Sequence, residues 1–304
     1  MTRIMIALFV TLFAMSSGLW AQSAPLVVGS KVDTEGSILG KIIVQVLTAH
    51  GVPVVDKVSL GTTDIVRKAI LAKQIDIYPE YTGNGGFLFP DTDPTIWKNA
   101  TKAWETVKKL DAEKNNLVWL TPAPANNTWA IAVRQDLASQ NHLTTLEDLG
   151  KYIARGGSFK IAGSEEFLSR PDALPAFQTA YGFTLKQDQF LSVSGGNTSL
   201  TEKAASLGTN GVNAAMAYGT DGAIAAFHLV VLTDTKGVQP VYQPAPLVNG
   251  AAAKAYPQLD SLLAPVFLTL DLKTLQTLNA RVQVNGESAD AVAKDYLKTK
   301  GFLK

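Results

Sequence analysis

The stretch LVVGSKVDTEGSILGKIIVQVLTAHGVPVVDKV, residues 26–58, decides the fold. Leu26 to Ser30 is a short apolar strand closed by Gly29-Ser30. After it Ile38, Leu39, Ile42, Ile43, Val46 and Leu47 recur at helical spacing. Asp33 or Thr34 caps that helix, Gly51 stops it, and Pro53 precedes a β-branched run from Val54 to Val58. The order strand, helix, strand predicts a βαβ unit and hence a parallel sheet.

Working outward, Thr62 and Thr63 cap a second helix carrying Ile65, Val66, Ala69 and Ile70. It leads into Ile75-Asp76-Ile77-Tyr78 and the turn-rich Pro79 to Gly86. In open parallel sheets ligands bind beyond the carboxyl ends of the strands, so the loops Ser30 to Glu35 and Tyr78 to Gly86 are candidate walls. Trp119 to Pro124 then leads through Asn126-Asn127-Thr128-Trp129 to the strand-like Ala130 to Val133. Some 280 residues exceed a usual single core. The chain therefore reads as α/β with two lobes: residues 24–125 and 238–304 form lobe I, and 126–237 form lobe II. Crossings fall near Ala125 and near Val238, where Gly237, Pro240, Pro244 and Pro246 break the pattern. Two crossings leave a cleft between the lobes. The last segment, from Tyr256, reads as mainly helical.

The whole chain has 304 residues, 46% hydrophobic and 17% charged, as expected of a globular protein. Lys plus Arg total 27 against 26 for Asp plus Glu, which gives no basic excess for a nucleic-acid partner. The absence of cysteine removes disulfides, thiolate nucleophiles and zinc-thiolate sites. At the N-terminus Arg3 precedes an apolar run from Ile4 to about Trp20 and then Ala21-Gln22-Ser23-Ala24, the pattern of a secretory signal peptide over residues 1–23. An exported, cysteine-free, nearly neutral chain suggests a bacterial periplasm. No later segment has the apolar length of a membrane span, and a monomer is the plain expectation.

Catalytic patterns are wanting: there is no HExxH, GxxxxGK or GxSxG, and Glu165-Glu166 are adjacent and unable to flank a scissile bond. His50, His142 and His228 read as exposed or satisfied histidines rather than ligands, so neither an enzyme nor a metal or cofactor site is expected. Ser194-Gly195-Gly196-Asn197-Thr198 can meet an anion at a helix N-terminus but more often makes a plain turn. Aromatic residues placed in turn sequences stand out: Tyr81 in EYTGN, Trp129 in NNTW, Tyr218 in AYGTDG and Tyr242 in VYQPAP. Singly, each is an ordinary structural ring. Together they can line one cleft, where aromatic faces stabilise a cation that has no hydrogen to donate.

At these residues the chain resembles the substrate-binding proteins of bacterial ABC importers for glycine betaine, choline and carnitine, and within that family the YehZ/OsmF type. The resemblance spans nearly all the chain after the N-terminal segment. It is carried by GSKVDTEG (29–36), DIYPEYTGN (76–84), PANNTWAIAV (124–133), SEEFLSRPDALPAFQTAYGF (164–183), NAAMAYGTDG (213–222) and VYQPAPLV (241–248). It implies a type II periplasmic binding protein fold with two hinge crossings, and a partner inner-membrane permease with ATPase subunits. It places the cage on Tyr81, Trp129, Tyr218 and Tyr242, with Trp129 where many relatives have Tyr. It places ligand-carboxylate contacts on Lys31 and Arg170, with Glu166 beside the site. Asn84 departs from the family, where many relatives carry Thr, and RPDALPAF replaces a more glycine-rich loop behind Arg170.

The expected mechanism is capture of a zwitterion: rings around the trimethylammonium, Arg170 and Lys31 on the carboxylate, and hinge closure read by the permease. Rival readings are a binding protein for an amino acid or another small amine, a periplasmic sensor component, and a periplasmic enzyme of the same shape.

Overall fold

A computed structural model describes residues 24–304; the signal-peptide expectation for residues 1–23 lies outside them. In chain order the strands are β1 Leu26–Lys31, β2 Val54–Gly61, β3 Ile77–Tyr81, β4 Leu117–Trp119, β5 Trp129–Arg134, β6 Ile161–Ser164, β7 Phe190–Val193, β8 Ala214–Tyr218, β9 Leu229–Val231 and β10 Pro244–Asn249. They form two sheets of five, ordered β2-β1-β3-β10-β4 and β7-β6-β8-β5-β9. All strands of the second sheet lie between residues 129 and 231, while β10 returns to the first.

The opening residues fold as their pattern dictates. Thr34–Ala49 is a helix capped by Asp33, whose carboxylate accepts from Gly36 N at 2.7 Å, and it buries Ile38, Leu39, Ile42, Ile43, Val46 and Leu47. β1 lies parallel to β2 and β3, and β6 parallel to β7 and β8. The parallel order expected from the opening βαβ units holds for β1, β2 and β3, and antiparallel strands join it, so both sheets are mixed. β10 runs antiparallel to β3 and β4, and β5 antiparallel to β8 and β9. The reason is topological. β5 and β10 are entered directly from the crossings rather than through a βαβ helix, and that helix is what enforces parallel order.

The crossings lie side by side and are laced together. Asn127 N donates to the Tyr242 carbonyl at 2.9 Å. Tyr242 N donates to Asn126 Oδ1 at 2.8 Å, and Thr128 Oγ1 to the Pro240 carbonyl at 3.1 Å. The C-terminal helices pack on lobe I, and one of them, Leu272–Gln283, also reaches lobe II. Gln276 Nε2 donates to the Gly219 carbonyl at 3.0 Å and Gln283 Nε2 to Asp221 Oδ1 at 3.0 Å. Among the described residues no helix is long and apolar enough to cross a membrane.

Candidate functional site

Four strand ends converge where the lobes meet. β1 ends at Lys31 and β3 at Tyr81; β5 begins at Trp129 and β8 ends at Tyr218. Trp129 and Tyr218 are register partners across β5 and β8, so their side chains leave the same face, and the rings stack at 6.5 Å with planes 18° apart. The second crossing adds Tyr242, 5.8 Å from the indole, and Phe167 meets that indole edge-on at 5.9 Å. Gly83 makes room for Tyr242: a Cβ there would stand 2.8 Å from the ring.

Tyr81, Trp129, Tyr218 and Tyr242 line a cavity walled also by Lys31, Asp33, Gly61, Thr62, Thr63, Asn84, Asn127, Glu166, Gly195 and Gly196. Seven of the eight residues singled out in the sequence therefore line one cavity: Lys31, Tyr81, Asn84, Trp129, Glu166, Tyr218 and Tyr242. The eighth, Arg170, stands behind it. Its guanidinium lies 4.5 Å over the Trp129 ring and 4.3 Å over Phe87. Its donors are all engaged: Nε and Nη2 by Asp172, each at 2.7 Å, Nη1 by Glu166 at 2.8 Å and Asn84 Oδ1 at 3.1 Å, and Nη2 also by Tyr242 Oη at 3.3 Å.

Lys31 is matched as well. Its Nζ is 2.7 Å from Glu80 Oε1 and 4.8 Å over the Tyr81 ring. Burial alone would push the Glu80 carboxyl up, but Lys31, the Asn84 amide and the Tyr81 N–H hold it below the usual carboxylate range. Asn84, the departure noted in the sequence, links the two cations: it donates to Glu80 Oε1 at 2.8 Å and accepts from Arg170 across the cleft. The Trp129 indole N–H is buried with no acceptor among the described residues.

Asp33 comes from the Ser30–Glu35 loop expected to form a wall, whereas Thr62, Thr63 and Asn127 were not expected at the site. The two threonines were readable only as the start of a helix. The structure turns the N-terminus of that helix, Thr63–Leu71, to the cavity, and Thr62 makes no side-chain cap bond there. The glycine pair of the Ser194–Thr198 turn also joins the wall, at φ +86° and +71°, which non-glycine residues rarely adopt. His50, His142 and His228 are all exposed, and Nδ1 of His50 meets the Val46 carbonyl at 2.9 Å.

Residues 24–299 match the family described as the substrate binding domain of an ABC-type glycine betaine transport system. The chain belongs to this family. It is 60% identical over 295 residues to the glycine betaine-binding protein YehZ of Escherichia coli (strain K12), covering 97% of this chain and 96% of that one. It is 31% identical over 291 residues to the glycine-betaine-binding protein of Pseudomonas aeruginosa, covering 93% and 90%. The solved structure of apo YehZ from E. coli superposes with a TM-score of 0.67 over 92% of this chain and all of that one. The family is one of transport substrate-binding proteins, not of enzymes, and the two-lobed α/β architecture is the type II binding-protein fold.

Proposed function

We propose that this protein captures glycine betaine or a closely related quaternary-ammonium compound in the periplasm and presents it, as a monomer, to an ABC permease with its ATPase subunits. The observation that carries the reading is the convergence of Tyr81, Trp129, Tyr218 and Tyr242 on one cavity between the lobes. A trimethylammonium group cannot hydrogen-bond, so ring faces are what it needs, at about 0.5 to 2 kcal/mol each. The signal-peptide reading of residues 1–23 and the likeness to proteins named for glycine betaine support the compartment and the ligand class.

The carboxylate end calls for a revised assignment. Arg170 already holds Asp172, Glu166, Asn84 and Tyr242, so a ligand carboxylate reaches it only by displacing Glu166, whose side chain is 26% exposed. Lys31 keeps two of its three protons free of Glu80, and Thr62 and Thr63 open a helix beside it in the same wall. We therefore assign the carboxylate to Lys31 and this helix start, and give Arg170 the task of bridging the lobes beneath the rings. The crossings at 126–128 and 240–242 serve as the hinge, and the closed form is the one the permease reads.

Calorimetric titration with glycine betaine, choline and proline tests the reading. Saturable heat is expected with glycine betaine, weaker heat with choline, and none with proline. Saturation by proline alone, or no heat with any quaternary amine, would transfer the site to another small amine or an amino acid.

A further inference from the structure

Behind Tyr81 lies a group that the ligand reading does not use. Glu35, in the first turn of the helix Thr34–Ala49, is 3% exposed and does not line the cavity. Its Oε1 accepts from Tyr81 Oη at 3.0 Å and from Asn127 Nδ2 at 2.7 Å, and its Oε2 from Asn279 Nδ2 at 2.8 Å. The same two amides reach Thr220: Asn127 Nδ2 donates to its hydroxyl at 2.7 Å and Asn279 Nδ2 to its carbonyl at 2.9 Å. Glu35 thus joins lobe I, the first crossing, lobe II and the helix Leu272–Gln283. Each of these partners donates, the arrangement an ionised carboxylate calls for, while the buried Asn279 Oδ1 has no partner among the described residues. No Lys, Arg or His among the described residues forms a salt bridge with Glu35.

A buried carboxylate without a counter-cation is costly to keep ionised. Beside a cavity built for a cation, the missing charge has an obvious source. We propose that Glu35 is a positioning residue which fixes Tyr81 and serves as the buried counter-charge for the cationic end of the ligand, so that ligand binding drives a proton off this carboxyl. The inference rests on the quaternary-ammonium reading above and adds the electrostatics behind the ring.

The pH dependence follows. Burial pushes the Glu35 carboxyl up to about 7, against the hydrogen bonds from Asn279 and Asn127. The titratable groups facing it are Asp33 on its own helix cap and Tyr81 on β3. Next to Tyr81 stand Tyr218 on β8 and the matched pair Lys31–Glu80. Asp33 is also raised by burial and shifts in the same direction, so it needs its own control. A cation in the cavity lowers the Glu35 value. Above pH 7 the ligand meets a charge already present; below it, binding must expel a proton, so affinity falls with pH until the bound-state value is passed.

The experiment titrates glycine betaine and choline into wild-type protein, Glu35→Gln and Asp33→Asn at pH 5.5, 7.0 and 8.5. Proton release is read at pH 7.0 from two buffers of unequal ionisation enthalpy. Neither ligand titrates in this range. The wild type is expected to bind on the order of tenfold more weakly at pH 5.5 than at 8.5 and to release a fraction of a proton at pH 7.0. Glu35→Gln is expected to bind weakly at every pH with a flat profile, and Asp33→Asn to keep the slope. Wild-type binding with no pH dependence and no proton release overturns this inference alone, even if Glu35→Gln fails to fold. Glu35→Gln retaining the wild-type slope overturns it equally. Wild-type protein that binds neither amine at any pH overturns the ligand reading, and this one with it.

Discussion

The β3 end of lobe I and the β5–β8 edge of lobe II both deliver aromatic rings to the cavity, by different means. In lobe II the sheet does the placing: Trp129 and Tyr218 are register partners, and the guanidinium of Arg170 backs the indole with all its donors engaged. In lobe I the ring is placed by side chains. Tyr81 is held through its hydroxyl by Glu35, with the Lys31 ammonium over its face. A ring fixed by register responds to deletion and is indifferent to pH. A ring fixed by a titratable carboxylate answers to both. One ligand pocket thus has a permanent wall and a conditional one.

Removing the permanent wall has the largest expected effect. Trp129→Ala deletes the ring that contacts Phe167, Tyr218 and Tyr242 and that supports Arg170. Affinity for glycine betaine should fall by about 2 kcal/mol, some thirtyfold, by the same factor at pH 5.5 and 8.5. A loss confined to one end of that range would break the contrast between the walls.

The second test compares two buried carboxylates. Glu202, in the helix Thr198–Leu207, is 0% exposed, and both its oxygens lack hydrogen-bond partners among the described residues. Burial pushes it up to about 10, with the Asp221 carboxylate adding to the shift. Unlike Glu35 it is neutral at pH 7 in the folded protein and ionised when unfolded. A raised acid stabilises the fold below its unfolded value, near 4.3, and that contribution is lost as pH rises toward 10. Stability should therefore decline between pH 5 and 9, by at most about 1.4 kcal/mol per pH unit from this group. Glu202→Gln should flatten the decline in Tm while leaving ligand affinity unchanged. An affinity change in this variant would mean that lobe II also hides an electrostatic control.

Much of this was legible in the sequence because it is local. A β-strand followed by a capped helix is written within thirty residues, and rings at strand ends betray themselves by sitting among Pro, Gly and Asn. What escaped is what the fold assembles from afar. Glu35, Asn127, Thr220 and Asn279 come from four elements, with 244 positions separating the first from the last. No spacing rule joins them. The saturation of Arg170 was half-visible, since Asp172 follows two residues later, but Asn84 and Tyr242 stand 86 and 72 positions away in the chain. The antiparallel strands at the crossings escaped because strand direction depends on how the chain enters a sheet, not on composition.

The smallest expected effect probes the junction between the two walls. Gly83 lies under Tyr242, and an alanine Cβ would stand 2.8 Å from ring carbons Cγ and Cδ1. The ring has little freedom to withdraw. Its backbone is tied on both sides, by Asn126 Oδ1 to its N–H and by the Asn127 N–H to its carbonyl, and its hydroxyl accepts from Arg170. Gly83→Ala must therefore either tilt Tyr242 into the cavity or loosen the laced crossings. Either route costs about 1 kcal/mol, because overpacking at a constrained ring has no cheap relaxation. A roughly fivefold loss of affinity at unchanged Tm would mean the ring moved; a lower Tm with affinity retained would mean the crossings gave way. Wild-type values for both would show that Tyr242 is looser than its hydrogen bonds require, and that the register-built wall ends at Tyr218.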